Sequence, residues 1–411
     1  MKINRYKIVN NDQNTVKPDV FEKLIVFLCS FSILINHWPL HISYIVSGTV
    51  LLSIIVILID LSLKRRHLVS FRTGDIFIVF IFLVTLFIGL NQSYAPSYGL
   101  KKFFQVLSWC FYAFFVAGYI RRFYKTFLIC NFLLMFVYFI ILTLVYGNIY
   151  NFFIESTLVN AQRLGSTYGE GEELLNPIWL SRYIGFLLIS SLILSTQYKL
   201  KFIQPVVFFI GVLYMLASGS KGPIVAFLFA VFFFFRIYKI FNLKIILILS
   251  TIFIVSIISL IFYFGIDNNQ YLMERFSFTD GTAAQRWNRI LDVFEFEESN
   301  VVLGNGTGHY GYKTTGHDSR DYPHNIFVEL LYENGILGVM LISILIFRTI
   351  SKIVPKRVRN DGLKMSACFF LYFFLNSLTS GDLLTNQFLF LFMLIVLSRQ
   401  KFDIHKTKAR Q

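Results

Sequence analysis

Residues 74–90 of the chain, GDIFIVFIFLVTLFIGL, decide the class of fold. The run holds one charged side chain, Asp75, and reaches the length of about 17–25 residues that a helix needs to cross a bilayer. Comparable apolar runs occupy residues 21–36, 40–63, 102–120, 126–146, 178–196, 202–217, 223–238, 244–266, 324–347, 363–379 and 383–398. The sequence therefore predicts an all-α integral membrane protein with about twelve transmembrane helices.

The amino-acid composition supports this class of protein. Hydrophobic residues make up 56% of the 411 residues and charged residues 15%, whereas a soluble domain carries about 25% charged residues. Each of the four cysteines lies inside an apolar run, which favours a role as a small hydrophobic side chain over a disulfide set or a metal cluster.

Lysine and arginine are distributed unevenly over the segments between the apolar runs. With the N-terminus placed in the cytoplasm, the cytoplasmic segments hold 28 of the 38 basic residues. Because basic residues accumulate on the cytoplasmic side of membrane proteins, both termini are predicted to be cytoplasmic. The net charge of +15 then reflects topology, and a nucleic-acid partner is not expected.

Two of the predicted outer segments are long, residues 147–177 and residues 267–323. In the second, Trp287 shares one helical face with three further apolar side chains of residues 283–298, which is typical of an amphipathic helix on a membrane surface. We expect three parts: helices 1–9 in residues 1–266, the large outer loop in residues 267–323, and helices 10–12 with a cytoplasmic tail in residues 324–411.

His324 is the strongest candidate for chemistry. It follows Pro323, which suits a first helical turn, and the positive end of a helix dipole disfavours a charged imidazole. A neutral imidazole can accept a proton as a general base. The alternative is a histidine at the membrane interface that only makes a hydrogen bond.

Basic side chains in two outer segments are candidates for binding phosphate. Arg286 and Arg289 lie three residues apart on the amphipathic helix, and guanidinium groups bind phosphate oxygens in pairs. Lys221 stands in the small-residue loop Ser218–Pro223, where backbone N–H groups could also address an anion. The alternatives are contact of the two arginines with phospholipid and a plain helix-to-helix turn around Lys221.

Glu329 and Glu333 lie one turn apart inside the tenth apolar run. Carboxylates at that depth are costly and should face the protein interior or a wet cavity, as pairing partners of a basic residue or as weak substrate contacts. Residues 306–311, GTGHYG, match the dinucleotide-binding pattern in letters. They neither follow a predicted strand nor open a predicted helix, so they are predicted to form a loop.

Several of these pieces, taken in order, resemble the O-antigen ligase and polymerase superfamily of bacterial envelopes. The resemblance is carried by Ser218-Gly219-Ser220-Lys221-Gly222, Arg286-Trp287, Leu303-Gly304-Asn305-Gly306-Thr307-Gly308, Pro323-His324-Asn325 and Glu333-Asn334-Gly335-Ile336-Leu337-Gly338. It implies a GT-C-like glycosyltransferase of the inner membrane that needs no metal or other cofactor, inverts the anomeric carbon and uses a glycan on undecaprenyl diphosphate at the periplasmic face.

The resemblance also implies roles for individual residues. His324 would orient or deprotonate the acceptor hydroxyl, and Arg286 would hold the diphosphate. Lys221 stands where many members carry arginine, which keeps the charge but loses the bidentate geometry. Arg163, in the first long outer loop, is a further candidate for binding the lipid-linked sugar.

Four functions remain open at this point. The leading one is a polymerase that passes the growing glycan to the next lipid-linked repeat unit, with a chain-length regulator as a candidate partner. A ligase that delivers glycan to lipid A core or to protein shares the donor. A flippase for the lipid-linked sugar would favour visible repeat symmetry, which the sequence lacks. A non-catalytic scaffold would leave the basic groups and His324 without a shared purpose.

Overall fold

The computed structural model describes residues 18–35, 43–64, 69–145, 168–169, 172–173, 177–198, 203–218, 220–240, 281–295, 300–354, 358 and 360–400, with four positions between 251 and 258. Its helices are α1 Val20–Ile35, α2 Ser43–Lys64, α3 Thr73–Leu90, α4 Pro96–Arg122, α5 Tyr124–Val145, α6 Pro177–Ser195, α7 Ile203–Ala217, α8 Lys221–Tyr238, α9 Gly281–Glu295, α10 His309–Thr315, α11 Ile326–Ile353, α12 Asp361–Thr379 and α13 Gln387–Leu397. Two-residue strands pair Val69–Ser70 with Arg399–Gln400, and Tyr168–Gly169 with Glu172–Glu173.

The described helices are those of a membrane protein. Six of them are long and apolar enough to cross a bilayer, within α3, α4, α5, α6, α8 and α11, and shorter apolar helices occur in α2, α7 and α13. Every predicted apolar run overlaps a helix except residues 244–266, which lie outside the described residues apart from four positions. The total of about twelve spans therefore stays a prediction.

Contacts between residues near the helix ends define two opposite ends of the bundle. His324 lies just before α11, whereas Arg348, near the other end of that helix, forms an ion pair with Asp75 at the start of α3 (Nε–Oδ1 2.8 Å). At the same end Arg121, the penultimate residue of α4, donates to Ser398 Oγ (3.1 Å) just after α13. At 1.5 Å per residue the two ends lie roughly 30 Å apart, which is the thickness of a bilayer core.

The amphipathic helix α9 has the character that its sequence predicts. Trp287 is 61% exposed and Phe294 65% exposed, so their side of the helix is not covered by described residues. The opposite side contacts the protein through Val293, which packs with Tyr310 and Tyr332. An uncovered apolar face beside a packed one suits a helix lying in the membrane interface.

A glycine-rich loop, residues 300–308, packs against a break in helix α11. Gly335 has φ 63° and ψ −164° inside the helix, and two carbonyls of the loop, those of Val301 and Val302, accept from Ile336 N (2.9 Å) and Leu337 N (3.3 Å). The loop thus replaces helical hydrogen bonds that the break removes. The loop ends in residues 306–308 of the dinucleotide-like segment, and Gly308 is the N-cap of α10. The prediction that residues 306–311 form only a loop is therefore wrong, since residues 309–311 begin this short helix.

A buried ion triad joins α4 to α11 beside this break. Lys102 is fully buried, and its Nζ lies 2.5 Å from Glu329 Oε1 and 2.8 Å from Glu333 Oε2. The second oxygen of Glu329 accepts from Leu383 N (2.8 Å) in the segment before α13. Three elements of the bundle are therefore fixed to one cation in an apolar interior.

Replacing Lys102 with methionine should destabilise the protein by about 3–5 kcal/mol, because two buried carboxylates lose their counter-ion. The neighbouring Lys101 is exposed, so Lys101→Met is the matched control and should leave the midpoint of thermal unfolding in detergent unchanged. Adding Glu329→Gln and Glu333→Gln to Lys102→Met should recover part of the loss. Equal midpoints for the two lysine variants would contradict the triad.

Replacing Gly335 with alanine should destabilise the protein by about 2 kcal/mol or more, because the new Cβ would lie 2.3 Å from Val302 O at a φ that disfavours side chains. Gly316 has φ 75°, and no heavy atom of the described residues lies within 4 Å of the position that a Cβ would take there. Gly316→Ala therefore isolates the backbone effect, at about 1 kcal/mol. Equal losses in unfolding midpoint would show that the loop does not require the glycine at the break.

Candidate functional site

His324 lies in the segment that leads into α11, not in the helix itself. Asn325 is the N-cap, and its Oδ1 accepts from Phe327 N (2.9 Å) and Val328 N (3.3 Å). The expectation that Pro323 occupies the first helical turn is therefore wrong, since the cap comes two residues later. His324 has φ 60°, a left-handed conformation that is uncommon for residues other than glycine and occurs at functional sites.

The hydrogen-bonding network assigns a tautomer to His324. Its Nε2 lies 3.4 Å from Nη1 of Arg289, and because a guanidinium only donates, this contact favours Nε2 as the acceptor and the proton on Nδ1. Nδ1 is buried and has no hydrogen-bond partner among the described residues. The lone pair of Nε2 thus faces a cation, and the N–H group of Nδ1 has no acceptor among the described residues.

Burial and nearby cations keep this imidazole neutral. Burial, followed by the charges of Arg286 and Arg289, lowers the pKa of His324 to about 3. A neutral His324 was expected from the helix dipole, but the structure attributes it to burial and to the two arginines. An anion bound between these arginines would offset their charge and raise the pKa of the imidazole.

Arg289 holds the segment that contains His324. Its Nη1 lies 2.6 Å from Asp321 Oδ1 and 3.3 Å from Tyr322 O. Tyr322 in turn packs edge-on against the His324 ring, with the centroids 4.6 Å apart. Arg289 is therefore committed to positioning this segment, in addition to any anion it binds.

Thr379 connects the two other predicted phosphate-binding segments. Nη1 of Arg286 lies 3.3 Å from Thr379 O. A Cβ built on Gly222 would lie 2.5 Å from Thr379 Oγ1, so the start of α8, where Lys221 is the first residue, lies directly against Thr379. The start of α8 and the segments 281–295 and 319–325 thus meet at one end of the bundle.

The remaining predicted site residues differ in their placement. Glu329 and Glu333 are occupied by Lys102, and this geometry favours structural pairing over substrate contact. Arg163 lies outside the described residues.

The structure adds Arg320 and Asp382, which sequence reasoning did not single out. Arg320 Nε lies 3.2 Å from Asp382 Oδ2, and its guanidinium lies over the rings of Trp179 (5.6 Å) and Tyr322 (5.3 Å). Burial raises the pKa of the Asp382 carboxyl, but Arg320 and Lys102 outweigh burial and lower it to about 2. Asp382 is thus a permanent anion that orients Arg320 beside the segment containing His324.

Arg182 is a second addition. It is 3% exposed and donates to the carbonyl oxygens of Asn376 (3.3 Å) and Ser380. An arginine within an apolar run was the available signal, since charges inside membrane helices mark functional sites. Arg182 lies at the same end of the bundle as Arg286, Arg289 and Arg320, and a grouping of guanidinium groups suits a multiply charged anion.

Comparison with known proteins identifies the segment that carries most of this site. Residues 206–343 match the O-antigen ligase family model. This match confirms the resemblance to the O-antigen polymerase and ligase superfamily, whose enzymes are glycosyltransferase-like and act in polysaccharide assembly on lipid-linked glycans. It includes Lys221, Arg286, Arg289 and His324 and ends before Asp382. Searches of curated proteins and of solved structures found no match.

Removing the charge of Arg286 should raise the pKa of His324, because that arginine is the larger of the two cationic contributions. We expect Arg286→Gln to move the imidazole titration upward from about 3, as measured by NMR of ¹³C-labelled histidine and assigned with His324→Asn. Arg122, at the opposite end of the bundle, provides the control variant Arg122→Gln. An unchanged titration in Arg286→Gln would show that the two groups do not interact.

Proposed function

We propose that this protein is a surface-polysaccharide polymerase that transfers a growing glycan from undecaprenyl diphosphate to the next lipid-linked repeat unit. The reaction would take place at the periplasmic face of the bacterial inner membrane, with about twelve spans and both termini in the cytoplasm. Supporting the proposal is the convergence of Arg286, Arg289 and a neutral His324 at one end of the bundle. The second candidate is an O-antigen ligase, which the family description favours.

The cationic groups would act on the leaving group. When the glycosyl bond breaks, its electron pair passes to the diphosphate, whose negative charge grows. Arg286 and Arg289, with Lys221 and Arg163 as further contacts, would stabilise that charge more in the transition state than in the ground state. This assignment requires no metal, since guanidinium and ammonium groups supply the compensating charge.

His324 would act on the acceptor. The acceptor hydroxyl oxygen attacks the anomeric carbon from the side opposite the diphosphate, which inverts the configuration, and the hydroxyl proton passes to Nε2 of the imidazole. Nε2 faces Arg289 in the structure, and engagement of Arg289 by the diphosphate would release the lone pair. The same anion raises the pKa of the imidazole towards the range in which a general base is effective.

The test supplies the purified protein with lipid-linked repeat units and separates the products by glycan length. A ladder of longer glycans is expected. His324→Ala and Arg286→Ala should each lower the rate by about 10²-fold or more, while the control Arg236→Ala, at the other end of α8, should keep it. Chelation of divalent metals should leave the rate unchanged.

Other outcomes distinguish the alternatives. Transfer to lipid A core without elongation would establish the ligase, and movement of lipid-linked sugar across the membrane without new glycosidic bonds would establish a flippase. Full activity of His324→Ala would remove the imidazole from the mechanism.

A further inference from the structure

A second charged region lies at the opposite end of the bundle from His324. It is a cavity of about 390 Å³ lined by one acidic side chain, Asp75, and by basic side chains from four segments. These are Arg72, Arg121, Arg348, Lys352 and Arg399. Asp75 is engaged by Arg348, so the cavity carries a net positive charge that the described residues do not neutralise.

Arg121 shows that the cavity is a site and not only a basic surface. Its side chain is buried, at 7% exposure, and Nη1 donates to the carbonyl and hydroxyl oxygens of Ser398. Its Nε is buried and has no hydrogen-bond partner within the described part of the chain. A buried guanidinium without a counter-ion is costly, and no described carboxylate pairs with Arg121, so an anion in the cavity that Arg121 lines would supply the missing charge.

The cavity lies at the level of the membrane surface. Arg121 and Ser398 are at helix ends and Arg348 lies within two turns of one, roughly 30 Å along the bundle from His324. The basic end of a membrane protein is the cytoplasmic one. The anions available there at headgroup depth are the phosphates of acidic phospholipids.

Exposed apolar side chains continue from the cavity towards the membrane centre. Ile76 lies one turn after Arg72 and is 44% exposed, and Ile344 lies one turn before Arg348 and is 40% exposed. Residues four apart share a helix face. A molecule with a phosphate in the cavity could therefore place its acyl chains along these two helices, which a free phosphate could not do.

We propose that this cavity binds the phosphate headgroup of an anionic phospholipid, such as phosphatidylglycerol or cardiolipin, from the cytoplasmic leaflet. Arg121 and Lys352 contact the phosphate oxygens, and the exposed Arg72 and Arg399 attract the headgroup from the surface. The site is separate from the glycosyl-transfer site and does not depend on the function proposed for it.

The test measures lipid binding to the full chain in neutral detergent by native mass spectrometry and by the shift of the unfolding midpoint. Phosphatidylglycerol and cardiolipin should bind and raise the midpoint; phosphatidylcholine should not.

A double variant tests the two exposed cations of the cavity. Both side chains lie at the surface, so Arg72→Gln/Arg399→Gln should fold normally and bind the anionic lipids about 25-fold more weakly, at about fivefold per charge. The control Lys125→Gln/Arg236→Gln removes two charges from the same end outside the cavity and should bind within about twofold of the parent.

Three results would overturn the proposal. Equal stabilisation by inorganic phosphate would make the cavity a site for a soluble anion. Equal binding of phosphatidylcholine would show that the headgroup charge is not recognised. An equal loss in the control variant would show that binding reflects only general surface charge. If the double variant failed to fold, the lipid and phosphate comparisons on the parent chain would still decide the question.

Discussion

The buried ion triad of Lys102, Glu329 and Glu333 is the constraint on which the end of the bundle that carries His324 depends. A lysine ammonium in an apolar interior is tolerated only when carboxylates surround it, so α4 and the first half of α11 must lie together. Because Glu329 also accepts from Leu383 N, the segment before α13 is fixed to the same point. Asp382, the residue before Leu383, is held in position by the same contact.

The site is built outward from this triad. Asp382 orients Arg320, and the break at Gly335 allows the glycine loop to pass beside Glu333, since Gly306 N donates to Glu333 O (2.8 Å). The short helix that follows the loop carries Tyr310, whose hydroxyl donates to Arg289 O (3.2 Å). The amphipathic helix with Arg286 and Arg289 is thereby held against the segment of His324, although these elements are far apart in sequence.

Hydropathy predicted the helical elements well because each span buries its backbone hydrogen bonds locally and depends little on its neighbours. The neutral state of His324 was also predicted, but from a helix dipole, whereas burial and two arginines cause it. The sequence predicted that Arg286 and Arg289 bind one phosphate group together. The structure separates them, since Arg289 binds Asp321 while Arg286 reaches Thr379.

The sequence by itself determined that this is a helical membrane protein, where its basic residues accumulate, and which superfamily its central segment resembles. These properties follow from local composition and from short motifs, which do not require knowledge of distant contacts. Only the tertiary structure decided that Lys102 neutralises Glu329 and Glu333, that Asp382 orients Arg320, and that five basic groups surround a cavity at the other end. Such pairings depend on which helix ends lie side by side, and side-chain charges act over a few ångströms of space irrespective of their separation along the chain.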